Sequence, residues 1–184
     1  MTHECIMAGF GGQGLLFSGK VLAYAGLIEN RELSWLPSYG PEMRGGTCNC
    51  SVILSDEPVG SPIIAHPNIL MVMNEPSLDK FEDTVAPGGT IFVDSSLIAR
   101  KVKRTDVEVV YIPATQMAKE MEALSLANMI ILGAIVEKMK CAKWESMEPT
   151  LHHVISARKA ALFDLNLKAI EKGREFIRTY EGQA

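Results

Sequence analysis

Positive charge is scarce in this sequence and nowhere clustered. Over 184 residues, 18 Lys and Arg stand against 22 Asp and Glu, a net charge of −4. Phosphate neutralisation needs grouped Lys and Arg, so nucleic acid is not an expected partner. The four cysteines, Cys5, Cys48, Cys50 and Cys141, are too few for a disulfide framework at this size. They also lack the C-x₂-C spacing of an iron–sulfur or zinc site. The longest apolar run, Leu126 to Val136, is broken by Asn128 and Gly133 and is too short to cross a bilayer. The first ten residues carry Glu4 and no basic segment, so no secretory leader is expected. His66, His152 and His153 have no carboxylate or thiol partner at a fixed spacing, and no metal site follows from them. There is no G-x-S-x-G elbow and no H-E-x-x-H. These absences leave a reduced, cytoplasmic chain with no membrane association and no metal of its own as the expectation.

What is present is a chain of ordinary globular make-up, 47% hydrophobic and 22% charged. Its length fits a single domain, residues 1–184. Such a chain buries roughly 70% of the surface its unfolded form exposes, enough for a core without staples. Short apolar runs alternate with helical periods: strands at Cys5–Ala8, Glu32–Leu36, Cys48–Leu54, Ile69–Met73, Thr90–Val93 and Val107–Ile112, and helices at Leu15–Glu29 and Pro76–Phe81. The pattern predicts an α/β fold, Rossmann-like, with a mainly parallel sheet flanked by helices and joined by right-handed crossovers. The last third, from Ala114, reads as helices only. Leu124–Lys140 is apolar almost all round, which calls for burial or a covering partner. In Ala157–Tyr180, Leu162, Leu165, Ala169, Phe176 and Tyr180 make one stripe, and Phe163, Leu167, Ile170 and Ile177 a second beside it. That double stripe fits either a well-buried terminal helix or an oligomer interface.

Two segments carry candidate chemistry. Gly9-Phe10-Gly11-Gly12-Gln13-Gly14 is a G-x-G-x-x-G between a strand and a helix, the context that motif requires. Its glycines permit a sharp turn and bring a ligand close to N–H groups at a helix start. A dinucleotide site would also need an acid at the end of the second strand. That strand ends Ser34-Trp35-Leu36-Pro37, with Glu29 and Glu32 at its beginning. The turn therefore suits tight packing, another anionic ligand or a partner chain better than NAD or FAD. The second segment, Pro37 to Thr47, follows the second strand and should lie at the same carboxyl edge of the sheet. It assembles Glu42, Arg44 and the hydroxyls of Ser38, Tyr39 and Thr47, with Gly40, Gly45 and Gly46 and Pro41 setting the path. Either it is a solvated loop with an internal Glu–Arg pair, or it is functional. Cys48 and Cys50 share one strand face and Asn49 takes the other, so buried thiols are expected there.

The stretches GFGGQG, WLPSYGPEMRGGTCNCSV, NEPSLDKF, PGGTIFVDSSLI, YIPAT and LANMIILGA together resemble the gamma subunit of 2-oxoacid:ferredoxin oxidoreductases, over about residues 4 to 172. Their form is most similar to the 2-oxoglutarate and branched-chain 2-oxoacid enzymes. The resemblance implies a Rossmann-like subunit of a complex that turns a 2-oxoacid, coenzyme A and oxidised ferredoxin into acyl-CoA, CO2 and reduced ferredoxin. It implies thiamine diphosphate, magnesium and iron–sulfur clusters held by partner subunits (alpha, beta and in some complexes delta), coenzyme A as co-substrate, and a chain inactive alone. On that footing Gly9, Gly11, Gly12, Gln13 and Gly14 with Ser38, Tyr39, Glu42, Arg44, Gly45, Gly46, Thr47 and Asn49 form one wall of a shared site. Arg44 would pair with a phosphate or a partner's carboxylate, and Glu42 would position Arg44 or a neighbouring chain. Catalytic residues are not assigned. A stand-alone nucleotide-binding protein and a pure scaffold remain as alternatives.

Overall fold

The computed structural model describes residues 1–38, 47–156 and 159–180, with the backbone but not the side chain of Thr47. Six strands form one sheet in the order β2-β3-β1-β4-β5-β6: β1 His3–Phe10, β2 Glu32–Ser38, β3 Thr47–Ser55, β4 Ile69–Val72, β5 Thr90–Asp94 and β6 Glu108–Ile112. β1, β4, β5 and β6 pair in parallel. β3 runs against both β1 and β2, so five strands point one way and one points back. The mainly parallel sheet is as expected, but the uninterrupted crossover pattern is not. β2 and β3 are an antiparallel hairpin, and β3 takes the place beside β1 that a dinucleotide fold gives to its second parallel strand.

β4 and β5 lie in the interior of the sheet and are buried at every position, as continuous apolar runs between two covered faces should be. On one face pack α1 (Leu15–Ile28), α3 (Ala114–Glu120), α4 (Ala127–Met139), α5 (Met147–Val154) and α6 (Ala161–Thr179), around Met7, Cys50, Met71, Phe92 and Val110. On the other, α2 (Glu75–Phe81) and the connection after β5 cover Ile6, Ala8, Leu70, Ile91 and Val93. α2 begins where the Asn74 side chain accepts from the Ser77 N–H at 2.8 Å, with Pro76 in its first turn.

α4 is the axle of the helical third. The Leu124–Lys140 period resolves into a 3₁₀ turn, Leu124–Leu126, followed by α4, whose Ala127–Val136 are all buried. Burial within the chain therefore satisfies its apolar surface. α6 crosses α4 at two glycines. A Cβ on Gly133 would lie 2.0 Å from the Ile170 carbonyl oxygen, and one on Gly173 would lie 1.8 Å from that of Ile130. Backbone touches backbone, which only glycine at both points allows. The buried line of α6 is consequently Asn166, Ala169, Ile170 and Gly173. Phe163, Leu167 and Ile177 pack beside it, while Leu162 and Leu165 of the first stripe are exposed. The expected stripes thus divide between core and solvent.

Candidate functional site

β1 extends through Gly9 and Phe10, so the glycine-rich turn starts inside the sheet rather than after it. Gln13 ties the turn down. Its Oε1 accepts from the Phe10 N–H at 2.7 Å, and its Nε2 donates to the Met73 carbonyl at 3.1 Å, at the end of β4. Gly9 is a packing glycine: a Cβ there would meet Gln13 Oε1 at 2.4 Å and Met73 Cβ at 3.2 Å. Gly14 is the N-cap of α1 in a left-handed conformation, φ +77°, with Asn128 against it. Gly12 differs from both. Its φ is +91°, yet a Cβ would meet nothing within 4 Å. The backbone of Gly12 therefore faces open space, and Gly11 beside it is exposed. No side chain caps α1, and no acid stands in its first turn, so its leading N–H groups keep their partial positive charge for an anion.

The register puts the hairpin ends at this same rim. Phe10 lies opposite Thr47, Gly9 opposite Cys48 and Ala8 opposite Asn49, which in turn pairs with Ser38. The start of β3 thus pairs with the first residues of the glycine-rich turn, and the end of β2 lies one strand further out along the same rim. Because β3 runs backwards, its first residue meets the last residue of β1. Tyr39, Glu42, Arg44, Gly45 and Gly46 lie outside the described residues, and of Thr47 only the backbone is described.

Two clefts flank Gly12. One, about 460 Å³, is lined by Gly12, Gln13, Met73, Leu97, Thr115 and Leu124 among others. The second, about 500 Å³, lies between the turn, the start of α4 and α6, with Phe17, Asn128, Ile155, Lys159, Leu162 and Asn166 in its lining. At its base Asn128 Nδ2 donates to the Gly14 carbonyl at 2.9 Å. The Oδ1 atoms of Asn128 and Asn166 are buried without a partner. Beyond the first cleft, buried Asp94 ends β5 and holds the start of α3. It accepts from the Thr115 hydroxyl at 2.6 Å and the Ser96 N–H at 3.1 Å.

The thiols stand apart from this rim chemistry. Cys5, Cys48, Cys50 and Cys141 are free and buried. Cys48 and Cys50 both face the helix-covered core, as their spacing requires. Burial pushes Cys50 and Cys141 each up to about 12 and Cys5 well above its ordinary value, so they are protonated and inert at neutral pH. Among the described residues no group of three or more His, Cys, Asp or Glu could hold a metal ion, and no helix is long and apolar enough to cross a membrane.

Sequence reasoning found the glycine turn but missed Asn128 and Asp94. The signal for Asn128 was there: a lone amide in a helix otherwise apolar on all sides. Its partner, Gly14, is 114 positions away, which no local pattern reveals.

Known proteins match this architecture. Residues 4–176 match the family model for pyruvate ferredoxin/flavodoxin oxidoreductase. The ketoisovalerate oxidoreductase subunit VorA of Methanothermobacter thermautotrophicus is 39% identical over 173 residues, covering 94% of this chain and 36% of VorA. The chain thus spans about a third of the length of the VorA relatives it matches. The 2-oxoglutarate synthase subunit KorC of Methanocaldococcus jannaschii is 35% identical over 178 residues, covering 95% of this chain and 94% of KorC. Among solved structures, the gamma subunit of a keto/oxoacid ferredoxin oxidoreductase from Geobacter sulfurreducens superposes with a TM-score of 0.84 at 27% identity, over 97% of this chain and 99% of that one.

Proposed function

Because the chain belongs to the pyruvate ferredoxin/flavodoxin oxidoreductase family, we propose that it serves as the gamma subunit of a 2-oxoacid:ferredoxin oxidoreductase with 2-oxoglutarate as substrate. The complex oxidatively decarboxylates the 2-oxoacid, transfers the acyl group to coenzyme A and reduces ferredoxin. Alpha and beta subunits, with delta where present, hold the thiamine diphosphate, magnesium and iron–sulfur clusters that supply the decarboxylation and electron-transfer chemistry. This chain's own thiols are buried and protonated, a poor donor set for a cluster.

The observation that carries the reading is the meeting of two segments at one rim: the glycine-rich turn and both strand ends of the β2–β3 hairpin. Uncapped N–H groups at the start of α1, the open backbone of Gly12 and the cation of Lys159 suit the phosphates of coenzyme A. Gln13 and Asn128 keep the turn in place for it. Ser38, Thr47 and Asn49 extend the same wall, and Glu42 and Arg44 lie in the segment these strand ends bracket. In this role the chain binds and orients coenzyme A while neighbouring subunits perform the chemistry. A second reading, a branched-chain 2-oxoacid as substrate, is favoured by the 39% identity to VorA; the full-length match to KorC supports 2-oxoglutarate.

The test is reconstitution of the complex, with steady-state ferredoxin reduction measured on 2-oxoglutarate and on 2-oxoisovalerate. Higher kcat/KM on 2-oxoglutarate, together with a coenzyme A KM raised severalfold by Arg44→Ala, is the expected result. If Arg44→Ala leaves both assembly and coenzyme A KM unchanged, the shared-wall assignment is wrong.

A further inference from the structure

The second cleft beside Gly12 joins two opposite polarities across an apolar body. Its walls are Phe17 of α1, Leu126 ahead of α4, Ile155 after α5 and Leu162 of α6. Its base is polar. Asn128 and Asn166 are only 2% and 3% exposed, and a backbone carbonyl fixes the carboxamide of each. Asn128 Nδ2 donates to Gly14 at 2.9 Å and Asn166 Nδ2 to Leu162 at 2.7 Å. That pins both Oδ1 atoms as acceptors, and neither has a partner. Buried acceptors are rarely left unpaired, so two in one cleft call for N–H donors from outside the chain. The exposed side of the cleft offers the reverse: the backbone of Gly12, the uncapped start of α1 and the cation of Lys159, all suited to an anion. Among the described lining residues there is no carboxylate. Asp164, on α6 with Asn166, is exposed and lies outside that lining.

A ligand that answers these features has a flat apolar body, an amino group at one end and a phosphate at the other. We infer that the second cleft seats an adenine nucleotide. The 6-amino group donates to the Oδ1 atoms of Asn128 and Asn166, the ring lies among Phe17, Ile155 and Leu162, and the phosphate rests on the start of α1 with Lys159. Both Oδ1 atoms are sealed from solvent, so the base reaches them with the side-chain adjustments that commonly accompany binding. Guanine fits less well, because its 6-oxo group sets a further acceptor against these two. The cleft, about 500 Å³, is within the range that encloses a drug-sized ligand. The inference rests on the coenzyme A reading and deepens it, since Gly12 and Lys159 belong to both. Of coenzyme A, only the nucleotide end can stay in a cleft closed at its base, because the thiol end has to reach chemistry in neighbouring subunits. A free adenine nucleotide carries the same group and is the other source.

The experiment is isothermal titration calorimetry of the full chain with ADP, IDP, coenzyme A and 4′-phosphopantetheine. ADP is expected to bind at micromolar to sub-millimolar concentration. IDP, whose 6-oxo group puts an acceptor where the amino donor was, is expected to bind about tenfold more weakly or worse. Asn166→Leu removes one acceptor at nearly constant volume and should lower ADP affinity and erase the preference over IDP. Lys159→Ala should weaken both nucleotides alike, and Lys168→Ala, exposed on α6 outside the cleft, should weaken neither. Circular dichroism checks the fold of each variant, and the comparison of ADP with IDP on the unaltered chain decides the matter where Asn166→Leu unfolds. Competition identifies the source. Coenzyme A that displaces ADP is the carrier of the bound nucleotide. Coenzyme A that leaves bound ADP in place makes a free nucleotide the ligand, and overturns the coenzyme A wall while the nucleotide seat stands. Equal affinity for ADP and IDP, or no ADP binding at millimolar concentration, gives the two amides to water and overturns the seat, while the gamma-subunit reading stands. Tighter binding of 4′-phosphopantetheine than of ADP assigns the cleft to an amide-bearing arm and overturns the seat as well.

Discussion

The two edges of the sheet are built on opposite principles. At the carboxyl edge, glycines, amides and leucines surround open space, and among the described cleft residues only Lys159 carries charge. At the amino edge, charges are paired and the structure is stitched. Arg31 donates to the carbonyls of Cys141, Met1 and Leu54 and pairs with Asp56 at 3.2 Å. Buried Glu82 pairs with Arg100 at 2.8 Å and accepts from the Lys103 and Arg104 backbones, fixing the helix-free connection between β5 and β6. Glu137, at the end of α4, receives Arg174 and Arg178, each at 3.1 Å. One edge spends its polar groups on the chain itself and holds the fold. The other leaves the backbone of Gly12 facing open space and the Oδ1 atoms of Asn128 and Asn166 without a partner.

The contrast can be broken most sharply where α4 links the two edges. Gly133→Val would drive a side chain into the Ile170 carbonyl, and the helices must separate. A loss of about 4 kcal/mol is expected, at or beyond the upper end of overpacking costs, read by urea unfolding of the isolated chain. Next comes the stitched edge itself. Glu82→Ala strips two backbone N–H groups of their acceptor and leaves Arg100 with Asp79 as its remaining carboxylate, and about 3 kcal/mol should be lost, with no effect on coenzyme A KM in an assembled complex beyond that of lower stability. Gly12→Ala sharpens the comparison from the other side. The left-handed backbone costs an alanine about 1–2 kcal/mol, but the site is open. Stability should fall modestly while coenzyme A KM rises. If Glu82→Ala raised KM and Gly12→Ala did not, the division of labour would be reversed.

The smallest effect is the response to acid. Burial, with Arg31 adding to it, lowers the pKa of His3. The folded chain therefore refuses a proton that the unfolded chain accepts, and stability declines as pH falls below about 6.5. At Glu137, burial pulls the carboxyl up but hydrogen bonds from Arg178, Lys140 and Arg174 outweigh it, holding the group below the usual range. Its contribution is present above about pH 4.5 and lost as pH falls through the lowered value. Both groups lie at the amino edge, so urea midpoints at pH 7, 5.5 and 4 should step down twice. His3→Gln should remove the upper step alone.

What the sequence made legible follows the same division. β4 and β5 were readable because Ile69–Val72 and Thr90–Asp94 are buried on both faces, and a continuous apolar run has few other homes. The glycine-rich turn was readable because its context is local. The direction of β3 was not, since alternation along Cys48–Leu54 is the same read either way and strand periodicity carries no polarity. The buried line of α6 was hidden for a different reason. It is centred on Asn166 and Gly173, residues that hydropathy treats as surface, and it exists because two backbones approach. Asn128 and Asp94 escaped because their roles are contacts between distant segments, Gly14 for one and Thr115 for the other.

The crossing of α4 and α6 also limits how this chain can diverge. Gly133 and Gly173 each lack room for a single methyl group, and the obstacle in each case is the other helix's carbonyl, not a side chain that a compensating change might shrink. No second substitution elsewhere can rescue either position. Both should therefore stay fixed through drift, as a reference mark by which distant members of this lineage can be aligned even where the turn and the leucines have been rewritten.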